Sequence, residues 1–216
     1  HKFPSVYDVV DSYESDSGTD FHQVVADMAQ IPRTQAKTIN LGLFYGMGKA
    51  KLQAELGVSK EKAAELFDQY HAKVPFVKQL MNSAMNRAQE RGQIRTLLGR
   101  LCRFHLWEPN SFGMHKALPH EEALQEHGPG IKRAYTYKSL NKLIQGSAAD
   151  MTKKSMLDLY KEGIIAHIQI HDELCVSVES DEQAKKIVEV MENAVKLEVP
   201  NKVDYEYGKN WGTIND

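Results

Sequence analysis

The stretch Ile164-Ile-Ala-His-Ile-Gln-Ile-His171-Asp172-Glu173-Leu-Cys-Val-Ser-Val178 decides how the rest of the chain is read. In an extended conformation Ile164, Ala166, Ile168 and Ile170 fall on one side, and Leu174, Val176 and Val178 repeat the alternation. That is the period of a strand, met twice, so residues 164–170 and 174–178 are predicted to form a hairpin. Its link contains none of the Gly, Asn or Pro that usually turns a hairpin. It carries two neighbouring carboxylates instead, which repel each other. A hard divalent cation held by carboxylate oxygens would relieve that repulsion. The hairpin is therefore the first place to look for chemistry.

Working outward, the flanks are helical. Gly163 closes a long helix predicted over residues 131–162, residues 181–197 form another, and residues 203–207 read as a last strand. Upstream the chain is almost all helix. Asp20 caps residues 21–29, and Pro32 opens a helix that Gly46 stops near Tyr45. Lys49–Leu56 ends at Gly57, Ser59 opens a helix to about Ala72, and Pro75–Arg91 is closed by Gly92. Residues 94–97 and 101–106 suggest a small hairpin around Gly99-Arg100, and residues 107–130 an irregular surface excursion. Residues 1–19, acidic and Ser-rich, read as an irregular lead-in. The expected class is α+β: mostly helical, then a small antiparallel sheet with helices on one face.

Composition narrows the classes of function. Of 216 residues 42% are apolar and 26% charged, which suits one or two folded domains. A net charge of −2 means that any nucleic-acid site must be a local patch. Two cysteines, Cys102 and Cys175, make no disulfide framework and point to a reducing compartment. No apolar run reaches membrane length, so a membrane partner is not expected. His105, His115, His120 and His127 lack the paired spacing of a zinc site. The chain opens on His1 rather than Met, and it is read as part of a longer frame or as trimmed.

Two helices carry candidate contacts. Arg33, Lys37, Leu41 and Tyr45 recur every four residues and form one stripe. Cations in the first turns oppose the helix dipole, so a solvated face is the ordinary explanation and a bound phosphate the sharper one. Gly42, mid-helix, needs a close neighbour to offset its cost of about 1 kcal/mol against Ala. On the long helix Asn141 and Gln145 lie one turn apart, before Gly146-Ser-Ala-Ala-Asp150. A small-residue seam is the ordinary reading. The alternative is that the amides donate to the minor-groove acceptors every base pair presents.

The order of these pieces resembles a known family. Arg33-Thr-Gln-Ala-Lys37-Thr-Ile-Asn40-Leu41-Gly42-Leu-Phe-Tyr45-Gly46 is similar to the fingers-helix motif of the family A DNA polymerases, the bacterial polymerase I and phage group. Gln145-Gly-Ser-Ala-Ala-Asp150 resembles its palm helix, His171-Asp172-Glu173 its second carboxylate motif, and Asn210-Trp211-Gly212 its tail. The resemblance spans residues 20–216. It implies a fingers region over 20–130 and the C-terminal part of a palm over 131–216, with 1–19 as a connection. It implies template-directed addition of dNTPs to a primer 3′-hydroxyl with two Mg²⁺ ions, Asp172 holding metal with a partner Asp, and Glu173 supporting the primer end or a metal. It further implies that His22, Arg33 and Lys37 bind the triphosphate, with Lys37 also a proton donor to pyrophosphate. Leu41 would pack on the incoming sugar, and Tyr45 would gate the templating base. Asn141 and Gln145 would probe the minor groove, and His171 would lie against the primer. Primer-template DNA and dNTPs are the implied partners, in the cytoplasm of a bacterial or phage-infected cell.

The chain departs from the family pattern in places. Leu41 replaces the usual Phe or Tyr, Tyr137 stands where polymerase I has Arg, and Leu98 replaces an Asp before Gly99-Arg100. Residues 107–130 are longer than usual, and these differences look phage-type. No match to the family's first carboxylate motif occurs in residues 1–19, although Asp8, Asp11, Asp16 and Asp20 are acidic. The reading therefore expects no polymerisation without an upstream half, on the same or a separate chain. A single-subunit RNA polymerase would carry His-Asp-Ser and lack the Gln-Gly-Ser-Ala-Ala-Asp run. A non-catalytic DNA-binding relic would have shed Arg33, Lys37 or Asp172. A metal-dependent hydrolase would need more ligands near the hairpin than His167.

Overall fold

Local signals set most helix ends. Ser59 Oγ accepts the backbone N–H of Lys62 at 3.1 Å, and Gly57, at φ 63°, takes the left-handed position that ends the preceding helix. The computed structural model describes Tyr7, Val10, Asp11, Asp20, His22, Gln23, Ala26, Asp27, residues 30–111 and residues 113–214. Of the expected lead-in only Tyr7, Val10 and Asp11 are among these, and they are helical rather than irregular. The rest of that lead-in lies outside the described residues. His22, Gln23, Ala26 and Asp27 are helical, as expected for 21–29.

The chain divides into two compact units, His1–Ile144 and Gln145–Asp216. In the first, α1 (Arg33–Phe44), α2 (Lys49–Leu56), α3 (Lys60–Lys73) and α4 (Pro75–Arg91) follow the predicted order. They enclose a core of Ala36, Ile39, Leu43, Leu52, Leu66, Tyr70, Val74, Phe76 and Val77, closed by Ala26. Gly92 ends α4 at φ 65°. A Cβ there would lie 2.7 Å from the Arg133 guanidinium, which would have to shift, and the positive φ itself favours glycine.

β1 (Gln93–Arg95) and β2 (Leu101–Arg103) form the small hairpin, paired Ile94 to Cys102. The next segment is more ordered than its sequence suggests. Residues 107–130 are not an irregular excursion: β3 (Leu106–Pro109), β4 (Leu118–Pro119) and α5 (His120–His127) lie there. Nor does a helix begin at residue 131. Residues Ile131–Arg133 form β5, which pairs with β3 in a three-stranded antiparallel sheet of order β4-β3-β5. The physical reason is Arg133. Its guanidinium donates to the carbonyls of Gln89 (3.1 Å) and Phe104 (3.0 Å) and stacks on Trp107 at 4.6 Å. These contacts outweigh local helix propensity. Tyr135, at φ 61°, then breaks the chain before a 3₁₀ turn and α6 (Ser139–Lys161).

The division between units falls within α6. In the second unit β6 (Ala166–Ile170) and β7 (Glu173–Val176) make the hairpin, and α7 (Asp181–Asn193) starts where Ser180 caps Gln183. Leu159, Ile164 and Ile187 form its core, with Leu174, Val176, Val190 and Met191 against them. A bulge between Ala166 and Ile168 breaks the expected alternation, leaving Ile168 42% exposed. The expected strand over 203–207 does not form. Tyr205 and Tyr207 are exposed, and the Val203 N–H donates to Glu192 Oε1 (3.1 Å) rather than to a ladder. In place of one sheet there are three small antiparallel ones among the described residues. The α+β class stands.

His71 adds a pH dependence. It packs edge-on against Phe67 (4.4 Å) and Tyr70 (5.3 Å), and its buried Nδ1 has no partner among the described residues. Burial first, then the Lys78 charge, lowers its pKa from the ordinary 6.5, against the opposing pull of Asp68. A depressed histidine contributes stability above 6.5 that is lost as pH falls toward the lower folded value. The urea midpoint should therefore fall between pH 7 and pH 5, and His71→Leu should retain part of what the unaltered chain loses. Equal losses in both would show that His71 contributes nothing.

Candidate active site

Two faces of α1 divide its labour. Ala36, Ile39, Asn40 and Leu43 are buried, while Arg33, Lys37 and Leu41 are exposed on the other side. The predicted stripe is therefore a surface, with Leu41 46% exposed at its middle. Tyr45 continues it half-buried, edge-on to Phe44 at 5.6 Å. Space at Gly42 is used by the chain itself: a Cβ there would fall 2.1 Å from Met47 Cε.

Around the start of α1 the structure gathers more groups. The Arg33 guanidinium donates to Asp20, and the same carboxylate accepts the backbone N–H groups of His22 (2.9 Å) and Gln23 (3.2 Å). Asp20 is thus the predicted cap and also a counter-charge. The hydrogen bond from Arg33 holds its carboxyl below the ordinary 3.8, assisted by the N–H groups of Gln23 and His22 and opposed by partial desolvation. His22 is half-buried, its Nδ1 3.0 Å from Asn40 Nδ2, and Asn40 Oδ1 accepts the Tyr70 hydroxyl at 2.9 Å. Arg33 and His22 are brought together through Asp20. Lys37, one turn further on, has no hydrogen-bond or ion-pair partner among the described residues. Neither Asn40 nor Tyr70 stands out in the sequence as a candidate contact. The available signal is that Asn40 is polar yet shares a helix face with Ala36, Ile39 and Leu43.

In the second unit the turn between Ile170 and Glu173 has two residues, His171 and Asp172. His171 takes φ 52°, a left-handed conformation that favours glycine, and its carbonyl accepts Gln169 Nε2 at 2.9 Å. His171, Asp172 and Glu173 are all exposed. The Asp172 and Glu173 carboxylates have no hydrogen-bond or ion-pair partner among the described residues. No three His, Cys, Asp or Glu gather into a complete metal cage among the described residues. On α6, Asn141 and Gln145 are both exposed and one turn apart. Leu98 and Tyr137, two positions of departure, are also exposed.

One unit thus carries an exposed helix face with Arg33 and Lys37, and the other a hairpin with adjoining carboxylates. The model of DNA polymerase family A matches residues 9–213, and the chain belongs to that family. It is 34% identical to a DNA-directed DNA polymerase of Pseudomonas phage M6, over 96% of this chain and 33% of that protein. It is also 34% identical to DNA polymerase I of Geobacillus stearothermophilus, over 88% of this chain and 21% of that one. Among solved structures, the POL domain of Pol1 from M. smegmatis in complex with DNA primer-template and dNTP superposes with a TM-score of 0.74. That match has 27% identity and covers 96% of this chain and 36% of the other. The chain thus spans about a third or less of the length of these relatives.

Because Asp20 is held below 3.8, its ion pair stabilises the fold above that pH and is lost as pH falls through the lower folded value. Asp20→Asn keeps a capping oxygen and removes the charge. It should flatten the acid limb of the unfolding profile below pH 4. An unaltered limb would mean that the pair is energetically silent.

Proposed function

We propose that the chain supplies the nucleotide-binding helix and one catalytic carboxylate motif of a template-directed DNA polymerase that adds dNTPs to a primer 3′-hydroxyl. The observation that carries this reading is the exposed Arg33–Lys37–Leu41 face, continued by half-buried Tyr45, built on a buried opposite face and flanked by His22. Arg33 and Lys37 bind the triphosphate by charge-assisted hydrogen bonds, Arg33 exchanging Asp20 for phosphate oxygens. Lys37, without a hydrogen-bond or ion-pair partner among the described residues, gives a proton to the departing pyrophosphate. Leu41 packs on the sugar and Tyr45 gates the templating base. Asn141 and Gln145 hydrogen-bond in the minor groove, where donors meet acceptors common to all pairs. His171 lies along the primer.

The donor set of the hairpin suits Mg²⁺, which takes one or two carboxylates together with substrate phosphates and water rather than a full protein cage. Asp172 would hold it, with Glu173 supporting the primer end or a bound water. When bound, two such ions activate the 3′-hydroxyl and stabilise the leaving pyrophosphate. We propose that a second carboxylate comes from outside residues 1–216. The short share of each relative that the chain spans supports this. Leu41, Leu98 and the segment over 107–130 favour a phage-type enzyme, in keeping with the Pseudomonas phage M6 relative.

Primer extension tests the reading. In the polymerase containing this chain, Asp172→Asn should slow single-turnover extension at least about a thousandfold, the scale of metal-assisted charge stabilisation. The 216 residues by themselves should extend no primer. Undiminished extension by the Asp172 variant would end the assignment, and clear extension by the chain alone would remove the need for an outside carboxylate. Leu41→Phe should raise the incorporation rate by enlarging the contact with the sugar. An unchanged rate would show that Leu41 makes no such contact.

A further inference from the structure

Asn40 is only 5% exposed and Tyr70 only 1%, so each polar atom on them must be satisfied from within the protein. Burial raises the Tyr70 pKa far above its ordinary 10, so the hydroxyl stays neutral and keeps its hydrogen. That hydrogen goes to Asn40 Oδ1 at 2.9 Å, the acceptor the structure gives it. Turning the Asn40 amide over would offer the hydroxyl an N–H instead and leave its hydrogen orphaned in an apolar core, which is unfavourable. The amide orientation is therefore fixed from the Tyr70 side. With Oδ1 committed, Asn40 faces His22 with Nδ2, which can only donate. The partner, His22 Nδ1 at 3.0 Å, must accept. In a neutral ring the hydrogen then resides on Nε2, which has no hydrogen-bond partner among the described residues.

We infer that Asn40 and Tyr70 are positioning residues that hold His22 in its neutral Nε2–H tautomer, leaving Nε2–H free as a donor to the polyphosphate of an incoming nucleoside triphosphate. The second half of this rests on the reading of His22 proposed above; the tautomer itself does not. A polyphosphate oxygen is an acceptor only. The opposite tautomer would present a bare Nε2 lone pair to it and repel it. The device also explains why a polar side chain occupies the core-facing side of α1. Asn40 links a tyrosine thirty residues downstream to a histidine eighteen residues upstream.

Long-range ¹H–¹⁵N spectra of the unaltered full chain at neutral pH test the tautomer directly, with the His22 signals identified by loss in His22→Gln. The expected result is a bare Nδ1 and a protonated Nε2; a protonated Nδ1 overturns the inference. Titration with dATP and Mg²⁺ tests the consequence. Tyr70→Phe keeps the packed ring and removes one hydroxyl, and it should weaken dATP binding about three- to tenfold, the worth of one hydrogen bond. In Tyr70→Phe the two His22 tautomers should both appear. In a His22→Ala background Tyr70→Phe should cost nothing further, because the relay then ends on no ring. An undiminished loss in that background would make Tyr70 merely structural and overturn the proposal. If Nε2–H is found but His22→Ala binds dATP as tightly as the unaltered chain, the triphosphate role fails and the tautomer assignment stands alone. No dATP binding by the unaltered chain has the same consequence.

Discussion

An asparagine amide in an apolar core is the constraint on which the first unit turns. Asn40 shares its helix face with Ala36, Ile39 and Leu43 and could not stay there unpaired, since burying a bare amide costs several times the worth of a hydrogen bond. Tyr70 and His22 satisfy it from either side. That closure fixes more than one side chain. It sets the rotation of α1 about its axis, because only one rotation places Asn40 between those partners. The same rotation turns Arg33, Lys37 and Leu41 outward. An exposed face carrying Arg33 and Lys37 is thus held in place by a polar network beneath it, and such networks specify orientation more sharply than apolar packing does.

The acidic hairpin uses a different economy. Its turn is tight, two residues between Ile170 and Glu173, and the left-handed backbone there is taken by a histidine. Histidine enters that region more readily than branched residues do, but at a cost glycine would avoid. Asp172 in that turn and Glu173 at the start of the next strand are both exposed, and Leu174 and Val176 behind them pack against the core. Strain and exposed charge at one short turn are spent on presentation rather than on stability.

Arg133 shows how a single side chain can overrule a local preference. Nothing in the spacing of residues 131–138 opposes a helix. Yet the guanidinium fills the hollow beside Gly92, donates to two carbonyls and covers Trp107, which draws its segment into a sheet. The excursion before it becomes ordered for the same reason, because β3 acquires partners on both edges. The lost strand near residue 205 is the converse case. Its alternation is sound, but no neighbouring edge takes it up among the described residues, and without a ladder alternation alone forms no strand.

Features that depend on near neighbours can be read along the chain. Helix ends at Gly57, Ser59, Pro75 and Gly92, the stripe every fourth residue from Arg33 to Tyr45, and the pairing of two strands about His171-Asp172-Glu173 were legible there. Caps, periods and turns act within a few residues, so their physics is written in consecutive letters. So was the family, since its motifs are short runs in a set order. Tertiary structure alone decided that residues 131–133 are a strand, that the bulge exposes Ile168, that Asp20 neutralises Arg33, and that Asn40 joins Tyr70 to His22. Each of these is settled by a partner brought close only by folding, and local spacing carries no record of which groups meet across the core.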